Sequence, residues 1–462
     1  MRDINYFKSC FGGRFWKKLN ESLIPFQDKV KNKDQFLNDL YTQLITKEYQ
    51  PDLIRECIIS NKQNRVARIV PAFTRKDYCV YFYCLKSLEK FIANNRVDGT
   101  FGGWTLGNGI KDFETEEEIK KRDEAIDDIP SSSDNSYNPF AWRKHWKEFQ
   151  SLAFYHYQNE DNNFFLKLDI ANFYDCIRLD ILEDNMFNAL YKAEEKDYDE
   201  NGDIVDYTDE LELLFYFLKF WNRKLEGYKV KCVGVPQDEV GDCSRILANF
   251  YLQQYDKKIN ELCEEEGATY LRYADDQIIF AKNEKIARNI LFQASKELHK
   301  IGLNINPSKV DEFDNRSDFA TYWSFDIFTT LTDDNKKNKI VIEDAIKLFR
   351  DRKANDKKFR SHMVLNRLLY FELNFIEPSL KHYLISILFD KEYLGLGNYR
   401  IFRNINNILT AEQKKDFYKI LDELIDEINF NFYHYHLKKF YKSYRKDFDF
   451  SILEERIRLL RI

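Results

Sequence analysis

The chain has 462 residues, of which 44% are hydrophobic, enough to bury a sizeable core in two or three packed subdomains. Its formal net charge of −6 excludes a uniformly cationic nucleic-acid binder. A run of about 20 apolar residues is absent and the first residues lack an uninterrupted apolar stretch, which excludes a membrane-spanning or secreted class. We therefore expect a cytoplasmic protein without a membrane partner.

The first part of the chain predicts mainly helices. Apolar residues at helical spacing favour helices from residue 1 to about residue 59. Residues 65–71 predict a short basic strand that ends at a proline, and residues 77–92 return to a helical pattern. Residues 99–107 form a glycine-punctuated loop, and the proline- and serine-rich stretch 127–140 is the best linker candidate.

The pattern changes in the middle of the chain and again towards its end. Between residues 164 and 313, short apolar strands alternate with helical segments, which predicts a mixed sheet covered by helices. From residue 332 onward the pattern predicts helix after helix. A basic run interleaved with aromatic residues would either hold a nucleic-acid backbone and stack bases, or form the solvated face of a helix. Its members are Lys438, Lys439, Phe440, Tyr441, Lys442, Tyr444, Arg445 and Lys446.

Three aspartates in the middle region suggest a catalytic centre. Asp169 ends a strand-like run that begins at Phe164, and an acid at the end of a buried strand lies at the sheet edge. Residues 269–281 predict two apolar strands around a tight Ala-Asp-Asp-Gln turn, a hairpin that presents Asp275 and Asp276. A lone Asp-Asp pair is more often a turn or cap, so the hypothesis depends on all three carboxylates.

If these strands are neighbours, the three carboxylates form a cage of hard oxygen ligands suited to Mg²⁺. Two such ions about 4 Å apart can activate a 3′-hydroxyl and stabilise a leaving pyrophosphate in an in-line displacement. The constellation therefore favours nucleotidyl transfer.

Four motifs in a fixed order resemble those of bacterial reverse transcriptases. Tyr273-Ala-Asp-Asp matches the YxDD signature of that family, and residues 168–175 match its first aspartate motif. Between them lie Gly234-Val-Pro-Gln and residues 244–252, similar to the G-x-P-Q-G and S-x-x-L-A-N-x-x-L segment. Residues 302–309 resemble the motif whose lysine lies near the triphosphate. Together the motifs span about a third of the chain.

The resemblance implies an α+β fold, a right-hand polymerase with fingers and palm followed by an α-helical thumb or C-terminal domain. The palm would be an antiparallel sheet that carries the YADD hairpin. We expect an N-terminal helical segment and fingers in residues 1–160, the palm in 161–315, and the helical C-terminal domain in 316–462.

The resemblance also implies a role for each matched residue at the metal centre. Asp169 and Asp275 would ligate two Mg²⁺ ions, with Mn²⁺ as the alternative ion, assisted by the Ile170 carbonyl and by Asp276 as third carboxylate. Phe173 and Tyr174 would bind substrate, with the Tyr174 ring beneath the sugar excluding a ribose 2′-hydroxyl. The alternative is that these two aromatics are only core residues of a helix.

Further matched residues would contact the substrates. Pro236 and Gln237 would form the floor under the incoming base and the template, and Lys309 would act as general acid or phosphate clamp. Arg65 and Arg68 are candidates to grip the triphosphate, since guanidinium groups suit phosphate oxygens.

One position beside the template-binding turn departs from the family pattern. Asp238 stands where the family has glycine, and its carboxylate would repel template phosphate, which puts processive copying of long RNA in doubt.

A polymerase without a nuclease, integrase or zinc module but with a long helical C-terminal region resembles the abortive-infection and defence-associated reverse transcriptases of bacteria. The expected function is an RNA-directed DNA polymerase that transfers dNTPs to a 3′-hydroxyl in antiphage defence, RNA-templated or untemplated. Its expected partners are dNTPs, RNA, including a dedicated noncoding RNA, the DNA product, and further copies of the chain bound through the helical region. The primer stays open between RNA, DNA and a protein hydroxyl.

Three alternatives remain. A retron-like enzyme would copy a bound structured RNA, but a clear counterpart of the retron thumb motif is missing. An RNA-dependent RNA polymerase is disfavoured by Tyr174 and by alanine before the paired aspartates. A catalytically inactive palm acting as a sensing module is disfavoured because all three carboxylates are retained.

Overall fold

The computed structural model describes most of the chain, and this part divides into two compact units. The described residues are 1–21, 30–54, 56–61, 66–106, 142–192, 204–221, 232–237, 243–458 and 460–461. The first unit comprises 1–56, 70–316 and 461–462, and the second comprises 57–69 and 317–460. Within the described residues, no helix has the length and apolarity needed to cross a membrane.

The elements up to residue 316 follow one another along the chain as helices α1 to α10 and strands β1 to β7. They are α1 (Ile4–Ser9), α2 (Gly13–Glu21), α3 (Lys33–Ile45), β1 (Glu56–Asn61), β2 (Ala67–Pro71), α4 (Arg75–Ala93), β3 (Thr100–Phe101), α5 (Trp142–Gln158), β4 (Phe164–Asp169), α6 (Phe173–Cys176), α7 (Leu179–Lys192), α8 (Thr208–Phe220), α9 (Cys243–Glu265), β5 (Thr269–Tyr273), β6 (Asp276–Ala281), α10 (Glu284–Lys300) and β7 (Asp311–Phe313).

The first unit is built on a five-stranded sheet with the order β3–β5–β6–β4–β7. The pairs β5–β6, β4–β6 and β4–β7 are antiparallel, as predicted, whereas the edge pair β3–β5 is parallel. Residues 99–107 were predicted to be only a loop, and this was wrong because β3 lies within them. All six residues of β4 are buried, so helices cover both faces of the sheet at its centre.

The two faces of the sheet carry different helices. On one face α9 and α10 pack on β5 and β6, and on the other α5 packs on β3, β5 and β6. The α5 side chain of Phe149 has its ring centroid 5.7 Å from that of Tyr273. Helix α4 matches the helix predicted from residue 77 and is buried almost all round, as expected for a helix inside a core.

The second unit is mainly helical, which confirms the prediction for residue 332 onward. Its elements are α11 (Arg316–Trp323), which begins at the unit boundary, α12 (Phe325–Phe328), α13 (Lys339–Asn355), α14 (Ser361–Leu368), α15 (Pro378–Leu388), α16 (Lys391–Gly395), α17 (Tyr399–Ile408), α18 (Ala411–Glu427), α19 (Asn431–Tyr444), α20 (Ser451–Arg456) and β8 (Leu460–Arg461). Their apolar faces enclose a hydrophobic core that also contains Cys57 and Ile59 of β1.

The side chain of Asn431 bonds the early strand β1 to the helices of the second unit. The Asn431 side chain accepts a hydrogen bond from the Ile59 amide at 2.8 Å and donates to the Cys57 carbonyl at 3.3 Å. Strand β1 lies in the middle of a three-stranded sheet with the order β2–β1–β8. The prediction of helices up to residue 59 is therefore wrong from Glu56 onward, and the linker predicted at 127–140 lies outside the described residues.

Candidate active site

The strand register brings the three predicted aspartates to one end of the sheet. The Cα atoms of Asp169, at the end of β4, and Asp276, at the start of β6, are directly paired across the two antiparallel strands. Asp275 lies in the turn before β6, where Ala274 adopts a left-handed conformation with φ of 53°. Burial, followed by repulsion from Asp276 and Asp169, raises the pKa of Asp275 to about 6. The predicted hairpin with paired carboxylates is confirmed.

Two lysines pair with two of these three carboxylates. The Lys309 Nζ atom lies 2.8 Å from Oδ2 of Asp169, and the Lys167 Nζ atom lies 2.9 Å from Oδ1 of Asp276. Sequence reasoning missed Lys167. The signal for it was available, because a charged residue two positions before Asp169 in an otherwise apolar strand must share its face of the sheet.

The donor set suits a hard divalent cation. In the described part of the chain no group of three or more His, Cys, Asp or Glu side chains is arranged to hold a metal ion. The carboxylates of Asp169 and Asp276 instead face lysine ammonium groups, so a cation would compete for oxygens that already attract positive charge. Burial, and then repulsion from Asp276 and Asp169, raises the pKa of Asp275, so a cation at this site would also favour its charged form. The chemistry of these residues therefore fits a hard divalent metal ion.

The segment after α10 aligns the end of β4 and delivers Lys309. An isolated antiparallel bridge pairs Ile170 with Ile305. It is made by the Asn306 amide donating to the Asp169 carbonyl at 2.8 Å and the Ala171 amide donating to the Asn304 carbonyl at 2.9 Å. Neither bond uses the Ile170 carbonyl, so this bridge does not occupy the oxygen predicted to assist the metal.

The two aromatics after Asp169 differ in their surroundings. Phe173 is 3% exposed and belongs to the hydrophobic core, whereas Tyr174 is only partly buried and packs at the edge of that core. Phe173 is thus a core residue, the alternative considered for it, while Tyr174 is only partly buried, at the edge of that core.

The turn at Gly234 is held against the Tyr174 backbone. The Gly234 amide donates to the Ile177 carbonyl at 2.7 Å, and the Val235 amide donates to the Tyr174 carbonyl at 2.9 Å. The hydroxyl of Ser244, the first residue of the S-x-x-L-A-N motif present in the chain, donates to the Pro236 carbonyl. The structure therefore brings Pro236, which is buried, and Gln237, which is partly buried, next to the aromatic pair.

The two arginines predicted for the fingers have no contact with the substrate site that the structure tests. Arg65 and Asp238 lie outside the described residues. Arg68 is exposed on β2 and belongs to the second unit. The roles assigned to Arg65 and Arg68 stay predictions.

The basic run near the end of the chain forms the last part of the amphipathic helix α19 and the residues that follow it. Phe440 and Tyr441 are fully buried and cannot stack bases, so that interpretation is wrong for these two rings. Lys438 pairs with Glu454 and Arg445 with Asp422, at 2.8 and 2.7 Å. The solvated helix face is therefore the better interpretation.

The α+β fold thus places three carboxylates together at one end of the sheet, inside a segment that is similar to known proteins. Residues 119–323 match the family model described as reverse transcriptase (RNA-dependent DNA polymerase). The Retron Ec83 reverse transcriptase of Escherichia coli is 31% identical over 140 residues, which cover 30% of this chain and 38% of that relative. The resemblance to bacterial reverse transcriptases is thus confirmed, and the chain carries a reverse-transcriptase domain.

Solved structures with looser likeness include two fungal telomerases. Apo telomerase from Candida tropicalis, truncated from its C-terminal domain, is 14% identical over 60% of this chain and 55% of that chain, with a TM-score of 0.36. Telomerase from Candida albicans in complex with a TWJ fragment of telomeric RNA is 12% identical over 92% of this chain and 67% of that chain, with a TM-score of 0.35.

Proposed function

We propose that the chain is a reverse-transcriptase-type DNA polymerase that transfers dNTPs to a 3′-hydroxyl with RNA as template. One observation carries the proposal: Asp169 and Asp276 are paired across β4 and β6, with Asp275 beside them, inside the segment that matches the reverse-transcriptase family. Three carboxylates with this spacing suit metal-assisted nucleotidyl transfer.

Asp169 and Asp275, with the Ile170 carbonyl, would hold two Mg²⁺ ions, Mn²⁺ being the alternative, and Asp276 is the third carboxylate. When bound, the ions would activate the 3′-hydroxyl and stabilise the pyrophosphate leaving group. Two lysines of the chain have further roles at this site. Lys167 keeps Asp276 neutralised and oriented, and Lys309 is free to turn from Asp169 to the triphosphate because its side chain is 56% exposed.

Residues in and near α6 would form the part of the site that binds the nucleotide and the template. The partly buried Tyr174 ring would lie beneath the sugar and exclude a ribose 2′-hydroxyl, which favours dNTPs over NTPs. Pro236 and Gln237, tied to the Tyr174 backbone through Val235, would form the floor under the base and the template.

The biological setting that we propose is antiphage defence, with a dedicated noncoding RNA as template. The resemblance to defence-associated enzymes and the long helical region support defence. The retron relative supports copying of a bound structured RNA, and it therefore also supports the retron-like alternative. Self-association through the helical region stays part of this proposal.

The test is incorporation of each labelled dNTP and NTP by the purified chain with Mg²⁺ or Mn²⁺, before and after RNase treatment. We expect dNTP incorporation that RNase abolishes and that the double variant Asp275→Ala, Asp276→Ala lacks while it stays folded, as judged by circular dichroism. Incorporation that survives RNase would favour untemplated synthesis. Absence of incorporation under all these conditions would contradict the proposal and favour the sensing module.

A further inference from the structure

A buried arginine lies directly behind the turn that carries the paired aspartates. Arg272 on β5 is fully buried and forms a two-pronged ion pair with Asp256 on α9, with nitrogen–oxygen distances of 2.8 and 2.6 Å. The Arg272 Nη1 group also donates to the Ala274 carbonyl at 2.9 Å. The same guanidinium thus reaches both a helix and the catalytic turn.

The turn is held from further sides by the same group of residues. Arg272 Nη1 donates to the Asn249 side-chain oxygen at 2.7 Å, and the Asn249 side-chain amide donates to the Gly103 carbonyl at 2.9 Å. The Ala274 amide donates to the Phe101 carbonyl at 3.3 Å. Both backbone groups of Ala274 are therefore bonded, which stabilises the left-handed conformation that a non-glycine residue adopts at a cost.

This network lies on the face of the sheet opposite to the carboxylates. Arg272 pairs with Gln277 across β5 and β6, whereas Tyr273 pairs with Asp276, and neighbouring residues of a strand point to opposite faces. Arg272 therefore cannot contact a nucleotide bound at Asp169 and Asp276. Its direct hydrogen bond to the turn is the one to the Ala274 carbonyl, one residue before Asp275.

Stability alone is a poor reason for such a pair. Replacing a fully buried ion pair by apolar side chains of similar volume is often neutral or stabilising, because the charges lose their hydration. A guanidinium has several donors in a fixed planar fork, so it can bind Asp256, Asn249 and the Ala274 carbonyl at once. These contacts specify one geometry of the turn.

We propose that Arg272, with Asp256 and Asn249, is a positioning residue that sets the catalytic turn so that Asp275 and Asp276 are preorganised for their cations. This inference rests on the proposed function. It adds Arg272, which is not one of the three carboxylates, to the residues on which the reaction depends. Misplacing a reacting group by about 1 Å can cost about 10²-fold in rate.

The experiment compares three variants of the full chain. Arg272→Lys keeps the positive charge beside Asp256 but lacks the planar guanidinium that bonds several acceptors at once. The double variant Arg272→Met, Asp256→Leu removes both charges and guards against a fold lost through one unpaired charge. Arg288→Lys is the matched control, since Arg288 is exposed on α10 and pairs there with Glu284.

The readouts separate positioning from folding. For Arg272→Lys and the double variant we expect hydrogen–deuterium exchange in residues 269–281 to be faster while exchange in α4 is unchanged. Mn²⁺ affinity, measured by electron paramagnetic resonance, should fall by about 10-fold, and kcat for dNTPs by about 10²-fold, with KM changed by less than about 3-fold. The Arg288→Lys variant should match the original chain.

A folded double variant with unchanged exchange in the hairpin and unchanged Mn²⁺ affinity would overturn the inference. So would a loss of activity explained entirely by a smaller folded fraction. If the original chain incorporates no nucleotide, the proposed function fails, yet the exchange and Mn²⁺ measurements still decide whether Arg272 positions the turn.

Discussion

The two lysines that pair with the carboxylates differ in how freely their side chains can move. The Lys167 side chain is 8% exposed and is fixed between strands, whereas the Lys309 side chain is 56% exposed and can leave Asp169 without a large change in hydration. Lys167 therefore stabilises the metal-free fold, and Lys309 is the lysine available to a substrate.

Replacing each lysine by methionine should separate these two roles. Removing one partner of a largely buried pair leaves an uncompensated charge, so Lys167→Met should lower the free energy of unfolding by about 1–3 kcal/mol. Lys309→Met leaves Asp169, whose side chain is 6% exposed, without its lysine, so we expect a similar loss of stability, but kcat for dNTPs should fall by about 10²-fold or more in this variant alone. Urea denaturation and steady-state incorporation measure both quantities. Equal losses of kcat in the two variants would contradict this assignment.

At the scale of elements, the short strand β3 holds the catalytic hairpin from its edge. A methyl group on Gly102, where φ is 99°, would come within 2.8 Å of the Ala274 amide nitrogen. At Gly103, where φ is 110°, the nearest atom to such a methyl group is the Arg245 Cβ at 3.6 Å. Both glycines adopt a backbone conformation that other residues avoid, but only Gly102 is pressed against the turn.

Gly102→Ala should therefore displace the turn, with Gly103→Ala as the matched control for backbone strain. We expect both variants to lose about 1–2 kcal/mol of stability from strain, and Gly102→Ala alone to lose about 10²-fold in dNTP incorporation. Thermal denaturation and incorporation assays test this. Equal activity of the two variants would show that the close approach to Ala274 has no catalytic consequence.

Sequence patterns predicted the elements whose residues repeat with a clear period or match a motif. The hairpin around Asp275 and the strand ending at Asp169 have alternating or continuous apolar residues, so both were found. Strand β3 has two residues among glycines, too few to show a period. Arg272 was missed because its partners, Asp256 and Asn249, are separated from it in sequence and meet it only through packing of α9.

At the scale of the whole molecule, the second unit is not a C-terminal piece of the chain. Residues 57–69 are part of it, and the hydrogen bonds of Asn431 to Ile59 and Cys57 fix them there. Ile59 and Asn431 are 372 positions apart in the sequence. A local sequence pattern cannot predict a contact over such a separation. The domain boundaries predicted at 160 and 315 stay predictions.

Each unit also has its own hydrophobic core. Leu247 belongs to the core of the first unit and Leu437 to that of the second, and both are fully buried. Chains with separate cores commonly unfold in more than one step. A buried leucine cut to alanine should therefore destabilise only the core that contains it, by about 2–5 kcal/mol.

Differential scanning calorimetry of Leu247→Ala and Leu437→Ala tests this matched pair. We expect two transitions in the original chain, each variant lowering a different one by about 5–15 °C and leaving the other within about 2 °C. The transition lowered by Leu247→Ala should be the one that Mg²⁺ or Mn²⁺ raises, since a ligand stabilises the unit that binds it and the three aspartates lie in the first unit. A single transition that both variants lower equally would mean that the two cores unfold as one cooperative structure.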